Sequence, residues 1–423
     1  MISSKKVFSH DAQGNALNAV QGNDGIYRQQ TICTPSANSI DIFGRQKVAD
    51  PYKLFEYSAS MYYDTTRYWS ESTSGSGTVA RNATTTQFEL ALTTASGDEA
   101  IMQTRRNIQY NKGNSQEIFI IARPCPVANR LTEFGYGDSS NGIFWQFNGL
   151  TPQLIIRTDT SGSPVEVPIV RSAWLDPLDG TGPSGKTANF DKQLVFHFDF
   201  GWLSSRGVRF FVDVEGEIIN IYNYFISGTL EFPFMRTGNL PMHFRVKNTA
   251  AAAASTFFWS CCAVQSSGSE VQEGAVRSVS TGTTPISVST TPVLGAGVRL
   301  SSSFLNGSLQ PLDFKMLPIS GNTNVYFRVI YNPTIVGATT TALSGIAEGL
   351  NTYTSYSGGS VINEGYFPLA NKVTGAITAL RELLNDIYVG RDLSGSRDWL
   401  VIEFRTDSST GTVLFEGSYK EFA

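Results

Sequence analysis

Hydrophobic and polar positions alternate most regularly between Gln193 and Phe225. Leu194, Phe196, Phe198 and Phe200 interleave with Val195, His197 and Asp199. A period of two is the spacing of a strand. After the turn residues Ser204-Ser205-Arg206-Gly207 the pattern resumes with Val208, Phe210, Val212 and Val214. Glu215-Gly216 is a second turn signal, and Ile218-Ile219-Asn220-Ile221 opens a third strand. Short turns between consecutive strands predict an antiparallel meander. Runs this apolar need cover, so a second sheet is expected to pack on the first.

The same punctuation recurs along the chain. Strands are predicted over Val79–Leu92 (as a pair), Glu99–Tyr110, Gln116–Ala122, Asn141–Phe147, Gln153–Arg157 and Val165–Val170. Met242–Asn248 and Thr256–Val264 return to these sheets after the central meander. Trp174–Gly185 (WLDPLDGTGPSG) reads as a rigid loop of Pro, Gly and Asp. Glu270–Thr284 is polar and marks the best domain boundary. Beyond Pro285 a second β region is predicted at Val298–Phe304, Leu312–Leu317, Val325–Tyr331, Trp399–Thr406 and Val413–Gly417. One helical stripe stands out in Ile377–Ile387, through Leu380, Leu383, Leu384 and Ile387. Residues 1 to 40 carry no pattern and read as an irregular arm that either stays mobile or is ordered by another chain. The fold class is therefore all-β: two β-sandwich, jelly-roll-like domains, residues 41–284 and 285–423, preceded by an extended N-terminal arm, residues 1–40.

Composition agrees with that outline. Of 423 residues, 41% are hydrophobic, 12% aromatic and 16% charged, and 39 are Gly, which suits strands joined by many turns. A net charge of −4 argues against a nucleic-acid partner, which would want a basic surface. No apolar run reaches the length of a membrane span, so no membrane insertion is expected, and the polar start MISSKKVFSHDAQGN has no signal-peptide core. Cys33, Cys125, Cys261 and Cys262 include no CxxC pair and fit neither a zinc site nor a disulfide framework. Cys261 and Cys262 continue the apolar Phe257–Trp259 run and are expected to be mostly buried and reduced.

Candidate chemistry is sparse. His10, His197 and His243 are scattered, and the last two alternate with large apolar residues, as structural histidines do. No nucleophile elbow, Walker loop or zinc-protease motif occurs. Asp213, Glu215 and Glu217 share a strand face and are the one set of carboxylates that resembles a glycosidase pair. Glu215-Gly216 reads better as a hairpin turn, which would leave them as solvated turn residues. Tyr62-Tyr63, Tyr68-Trp69, Phe257-Phe258-Trp259 and Tyr353/Tyr356 are aromatic clusters suited to core, sugar stacking or an interface. Among them Tyr353–Ser360 (YTSYSGGS) is the best exposed candidate, because Ser and Gly flank its tyrosines. No catalytic, cofactor-binding or metal-binding residue is assigned.

Four stretches carry a resemblance. IFGRQKVADPYKLFEYS resembles an opening block of structural proteins of tailed bacteriophages. WLDPLDGTGPSGKTANFDKQLVFHFDFGWLSSRGVRFFVDVEGEII, FPFMRTGNLPMHFRVKNT and VQEGAVRSVSTGTT resemble successive later blocks of the same proteins. The resemblance covers roughly residues 40–284. The block around Trp202 also resembles a concanavalin/laminin-G type sandwich, a likeness of fold that assigns no sugar site. The family implies a virion component rather than an enzyme: a tail or baseplate fibre or adaptor contributing to host attachment. A capsid decoration or head-fibre protein and a tail-spike glycan depolymerase are the alternatives. Expected partners are further copies of the chain, as a homotrimer, other virion proteins through the arm, and a host-surface glycan.

Overall fold

A computed structural model describes residues 6–10, 16–21, 27–29, 40–47, 50–268, 274–320, 324–367 and 387–422. The chain divides into two compact units, residues 1–48 and residues 49–423. In the first, Lys6–His10, Ala16–Gln21 and Tyr27–Gln29 form an antiparallel three-stranded sheet. This corrects the irregular arm read from the sequence. Strands this short, with apolar and polar residues mixed along the sequence, leave no period-two signal, although their backbone pairs like any other.

The second unit contains two sandwiches. In the first of these, one sheet runs Val165–Val170, Thr151–Thr158, Gly142–Asn148, Arg130–Gly137, Met242–Asn248, Glu99–Thr104, Trp69–Ser74. The facing sheet runs Glu217–Phe225, Gly207–Val214, Leu194–Gly201, Gln116–Arg123, Ser255–Ser266, Gln87–Leu92, Thr78–Asn82, with Tyr52–Ser58 also paired to Ser255–Ser266. The meander expected from Gln193 onward forms one side of that sheet, each strand paired to the next. Phe196, Phe198, Phe200, Val208, Phe210 and Val212 point inward and are fully buried against Phe134, Trp145 and Phe244 of the opposite sheet. Trp69, Phe88, Phe244 and Trp259 stack through the middle of the core, with Phe244 and Trp259 rings 4.3 Å apart and nearly parallel.

The C-terminal sandwich has its own core, which includes Phe314, Met316, Phe327, Val329, Phe404, Phe415 and Tyr419. A six-stranded sheet runs Thr339–Ala342, Ala347–Thr352, Val293–Leu300, Leu400–Thr406, Val325–Tyr331, Ser360–Phe367. It faces a four-stranded sheet built on Gly411–Phe422, which pairs with Ala275–Ser280, Ile286–Val288 and Ser308–Ser320. The domain boundary thus moves: Ala275–Ser280, expected within the linker, is a strand of the second sandwich. Its exposed edge position explains the polar text that resembles a linker. The helical stripe at Ile377–Ile387 lies outside the described residues apart from Ile387, which precedes no helix. Among the described residues the helical content is one 3-10 turn, Arg171–Ala173.

A polar joint connects the two sandwiches. Arg105 donates to Asp398 at 2.6 Å, and Tyr331 donates to the other Asp398 oxygen at 2.9 Å. Arg391 reaches Asp138 at 3.3 Å, and the Leu393 backbone N–H donates to Ser70 Oγ at 2.9 Å.

Candidate functional site

The outer face of the six-stranded C-terminal sheet gathers the most polar chemistry that a ligand can reach. Alternation along Val325–Tyr331 sends Val325, Phe327, Val329 and Tyr331 into the core and turns Tyr326, Arg328 and Ile330 outward. Three rows result. In the first, Ile330 and Val401 are covered by a segment carrying Ile335, Tyr353 and Tyr356. In the second, Arg328 grips Glu403 with Nε and Nη2 at 2.8 and 2.6 Å, a fork matched to a carboxylate. Tyr356 donates to the same Glu403 at 2.6 Å, and burial, with the carboxylate's help, pushes its hydroxyl pKa up. In the third row Tyr326 lies between Tyr366, at 4.9 Å, and the Arg405 guanidinium, at 4.5 Å, while its hydroxyl donates to Glu364. Tyr366 is 64% exposed.

An open groove of about 530 Å³ runs beside these rows, lined by Arg328, Tyr356, Gly359, Val361 and Glu403 among others. Its floor depends on Gly359, at φ 82°, where a Cβ would come within 2.7 Å of Ile330 and 2.9 Å of the Tyr331 carbonyl. The Tyr353–Ser360 candidate therefore divides. Tyr356 faces the groove, whereas Tyr353 turns under it, its hydroxyl accepting the Leu294 N–H at 2.8 Å. Sequence reasoning missed Tyr326, Arg328, Glu364, Tyr366, Glu403 and Arg405. The signal was present in the alternation of Tyr326 and Arg328 with Val325, Phe327 and Val329, polar and aromatic residues on a strand face that needs no core.

The other candidates have structural roles. Glu215 and Gly216 have φ of 54° and 82° between the paired residues Val214 and Glu217, which is a two-residue hairpin turn. Asp213 accepts the Gly216 N–H at 2.8 Å, and Lys186 pairs with Glu215 at 2.7 Å. His197 is stacked between Phe119 and Phe211, with ring centroids 4.4 and 5.0 Å away. Phe257, Trp69 and Trp259 are core. Tyr63 packs on Phe88 at 5.1 Å and Tyr68 on Tyr57 at 5.4 Å, while Tyr62 is exposed beside Arg67. Phe258 points outward under the Arg123 guanidinium. His10 ends a strand of the first unit, and Cys33 lies outside the described residues. Cys262 is buried and Cys261 half-buried, because neighbours on a strand point to opposite faces. Burial raises the pKa of both thiols. Among the described residues no group of three or more His, Cys, Asp or Glu is placed to hold a metal ion, and no helix is long and apolar enough to cross a membrane.

One buried charge cluster has the appearance of an active centre. On the outer face of the first sandwich, fully buried Glu133 accepts from Arg157 at 2.7 Å and from Gln146 at 2.8 Å, and lies 3.5 Å from His243 Nε2. His243 Nδ1 meets Gln103 at 3.1 Å. Burial would raise the Glu133 pKa, but His243 and Arg157 hold it down at about 2. A glycosidase acid needs a carboxyl that keeps its proton near neutrality. Glu133 is the opposite, an ionised group locked to a guanidinium.

No protein-family model matches the sequence, and no curated protein matches it. Solved structures similar to this one include a glycosyl hydrolase family protein from Mycobacterium fortuitum, with 11% identity and a TM-score of 0.35 over 50% of this chain and 99% of that one. The Emp47p carbohydrate recognition domain matches with 10% identity and a TM-score of 0.31 over 52% of this chain and 95% of that one. The VIP36 exoplasmic/lumenal domain, in a Ca2+/Man3GlcNAc-bound form, matches with 9% identity and a TM-score of 0.30 over 49% and 88%. At these identities and TM-scores the likeness assigns no activity to this chain.

Proposed function

We propose that this protein is a structural, adhesive component of a tailed-phage virion, a tail or baseplate fibre or adaptor, and not an enzyme. The observation that carries the adhesive part is the outer face of the C-terminal sheet. There, exposed Tyr366 and Arg405 and half-buried Tyr326 adjoin an open groove with preordered polar groups at Arg328, Glu403 and Tyr356. Aromatic and arginine side chains on a rigid sheet present contact area at little entropic cost. The virion part rests on the blocks between Ile42 and Thr284 that resemble tailed-phage structural proteins. The non-enzymatic part is supported by the fates of the carboxylates: Asp213 and Glu215 belong to a turn, and Glu133 is held ionised by Arg157.

The test is competition. Purified protein, added in excess to host cells, is expected to slow adsorption of the phage that carries it. Undiminished adsorption at saturating protein would defeat the adhesive reading. Incubating the protein with host polysaccharide is expected to release no reducing ends; release that disappears in Glu133→Gln or Glu215→Gln would favour the depolymerase instead.

A further inference from the structure

The ligand of the C-terminal face follows from its chemistry. We infer that the strip from Tyr356 to Tyr366 binds a saccharide bearing a carboxylate, such as a uronic-acid or sialic-acid unit; this rests on the adhesive reading above. Four residues of strand separate Ile330 from Tyr326, so the strip is roughly 13 Å long at ~3.3 Å per residue. It lies on the face of a sheet and extends onto the edge strand Ser360–Phe367, which carries Tyr366. Val325–Tyr331 has paired neighbours on both sides, so its backbone has no ladder left for a peptide strand. On this central strand, recognition comes from side chains.

Those side chains suit sugar rings. Tyr366 offers an exposed aromatic face, and Tyr356, Arg328 and Glu403 hold fixed donors and acceptors at the groove. Such planar polar arrays match hydroxyl pairs, and the aromatic face matches the apolar C–H face of a pyranose. Charge selects the acidic sugar. The Arg328 charge is spent on Glu403. Arg405 stacks on Tyr326, which occupies a face of its guanidinium and leaves the in-plane N–H donors for a planar carboxylate. Glu364 stands opposite Arg328 in the neighbouring row, where its carboxylate accepts from the Tyr326 hydroxyl.

The test uses the full-length protein on an array of galacturonic-acid and sialic-acid oligosaccharides, each matched with its carboxyl-reduced counterpart. Acidic members are expected to bind at least about tenfold more tightly than their reduced partners, the worth of one charge-assisted contact. Arg405→Gln should abolish that preference while keeping residual binding, Arg405→Lys should restore part of it, and Tyr366→Ala should weaken both members. Both side chains are exposed, so unchanged thermal melting confirms the fold in each variant. Equal binding of acidic and reduced glycans, or no effect of Arg405→Gln and Tyr366→Ala on acidic-glycan binding, would overturn the inference. Adsorption separates the two readings. If Tyr366→Ala loses competition for the host while the array shows no acid preference, the adhesive role stands and the ligand class falls. If the wild-type protein binds acidic glycans but never competes, the ligand class stands and the adhesive role falls.

Discussion

Glu133 and Arg157 show how a residue can be mistaken for chemistry. Both are nearly inaccessible, and they are ion-paired at 2.7 Å. Removing one partner of a buried pair leaves an uncompensated charge, at a cost of about 3–5 kcal/mol. Arg157→Met is accordingly expected to lower the chemical-denaturation midpoint sharply, whereas Lys247→Met, at a partly exposed 3.8 Å pair with Glu99, should change it little. The pH dependence has a definite sign. Glu133 titrates at about 2 in the folded protein, below its ordinary 4.5, so its contribution is complete above pH 4.5 and disappears as pH falls toward 2. Urea midpoints measured from pH 5 downward should fall less steeply in Glu133→Gln than in wild type. The thiols give a second residue-scale expectation: a bulky maleimide should label Cys261 slowly and leave Cys262 untouched until the protein unfolds. Equal rates for the two would contradict their opposite facing. The alternation of His197 and His243 with large apolar residues was legible in the sequence, and both side chains are buried. The sequence did not separate Tyr353 from Tyr356, since only the folded hairpin decides which ring goes under the sheet.

Strands with one apolar face were legible, and strands without one were not. The meander, Met242–Asn248 and Val325–Tyr331 lie where alternation placed them. Arg130–Gly137 was missed, although it is central to its sheet and almost wholly buried. Its outward positions are Glu133, Gly135 and Gly137, which read as loop chemistry when the partners that bury them are unknown. Turns were legible where glycine is needed. At Gly216 a Cβ would meet no neighbouring atom, so Gly216→Ala should cost only the left-handed backbone penalty, about 1 kcal/mol. Glu215→Asn should be neutral or slightly stabilising, because Asn tolerates positive φ in this turn type. Thermal melts of the two variants check both; a Gly216→Ala protein as stable as wild type would refute the turn geometry.

At the scale of the molecule, the joint between the sandwiches was invisible to sequence, because Arg105 and Asp398 lie 293 residues apart. Burial lifts the Asp398 pKa to about 6, against the pull of Arg105 and Tyr331. Its folded value therefore exceeds the ordinary 3.8. The folded protein keeps a proton that the unfolded chain releases, and this contribution to stability is full below pH 4 and is lost as pH rises through 6. Asp398→Asn, which can still bond Arg105 through its oxygen, should flatten stability between pH 4 and 6; an unchanged slope would show that Asp398 does not titrate there. The division into two sandwiches followed from strand punctuation, but the boundary did not, since Ala275–Ser280 pairs with the distant Gly411–Phe422.

The central claim is that this chain is part of a particle and presents its C-terminal sheet outward. Electron microscopy of purified phage particles labelled with an antibody against the Tyr326–Tyr366 face tests it most directly. The account predicts label at the tail or baseplate, reduced when soluble protein is added as competitor. Particles that carry the protein by immunoblot yet bind no antibody at that face, or purified particles that lack the protein altogether, would contradict it.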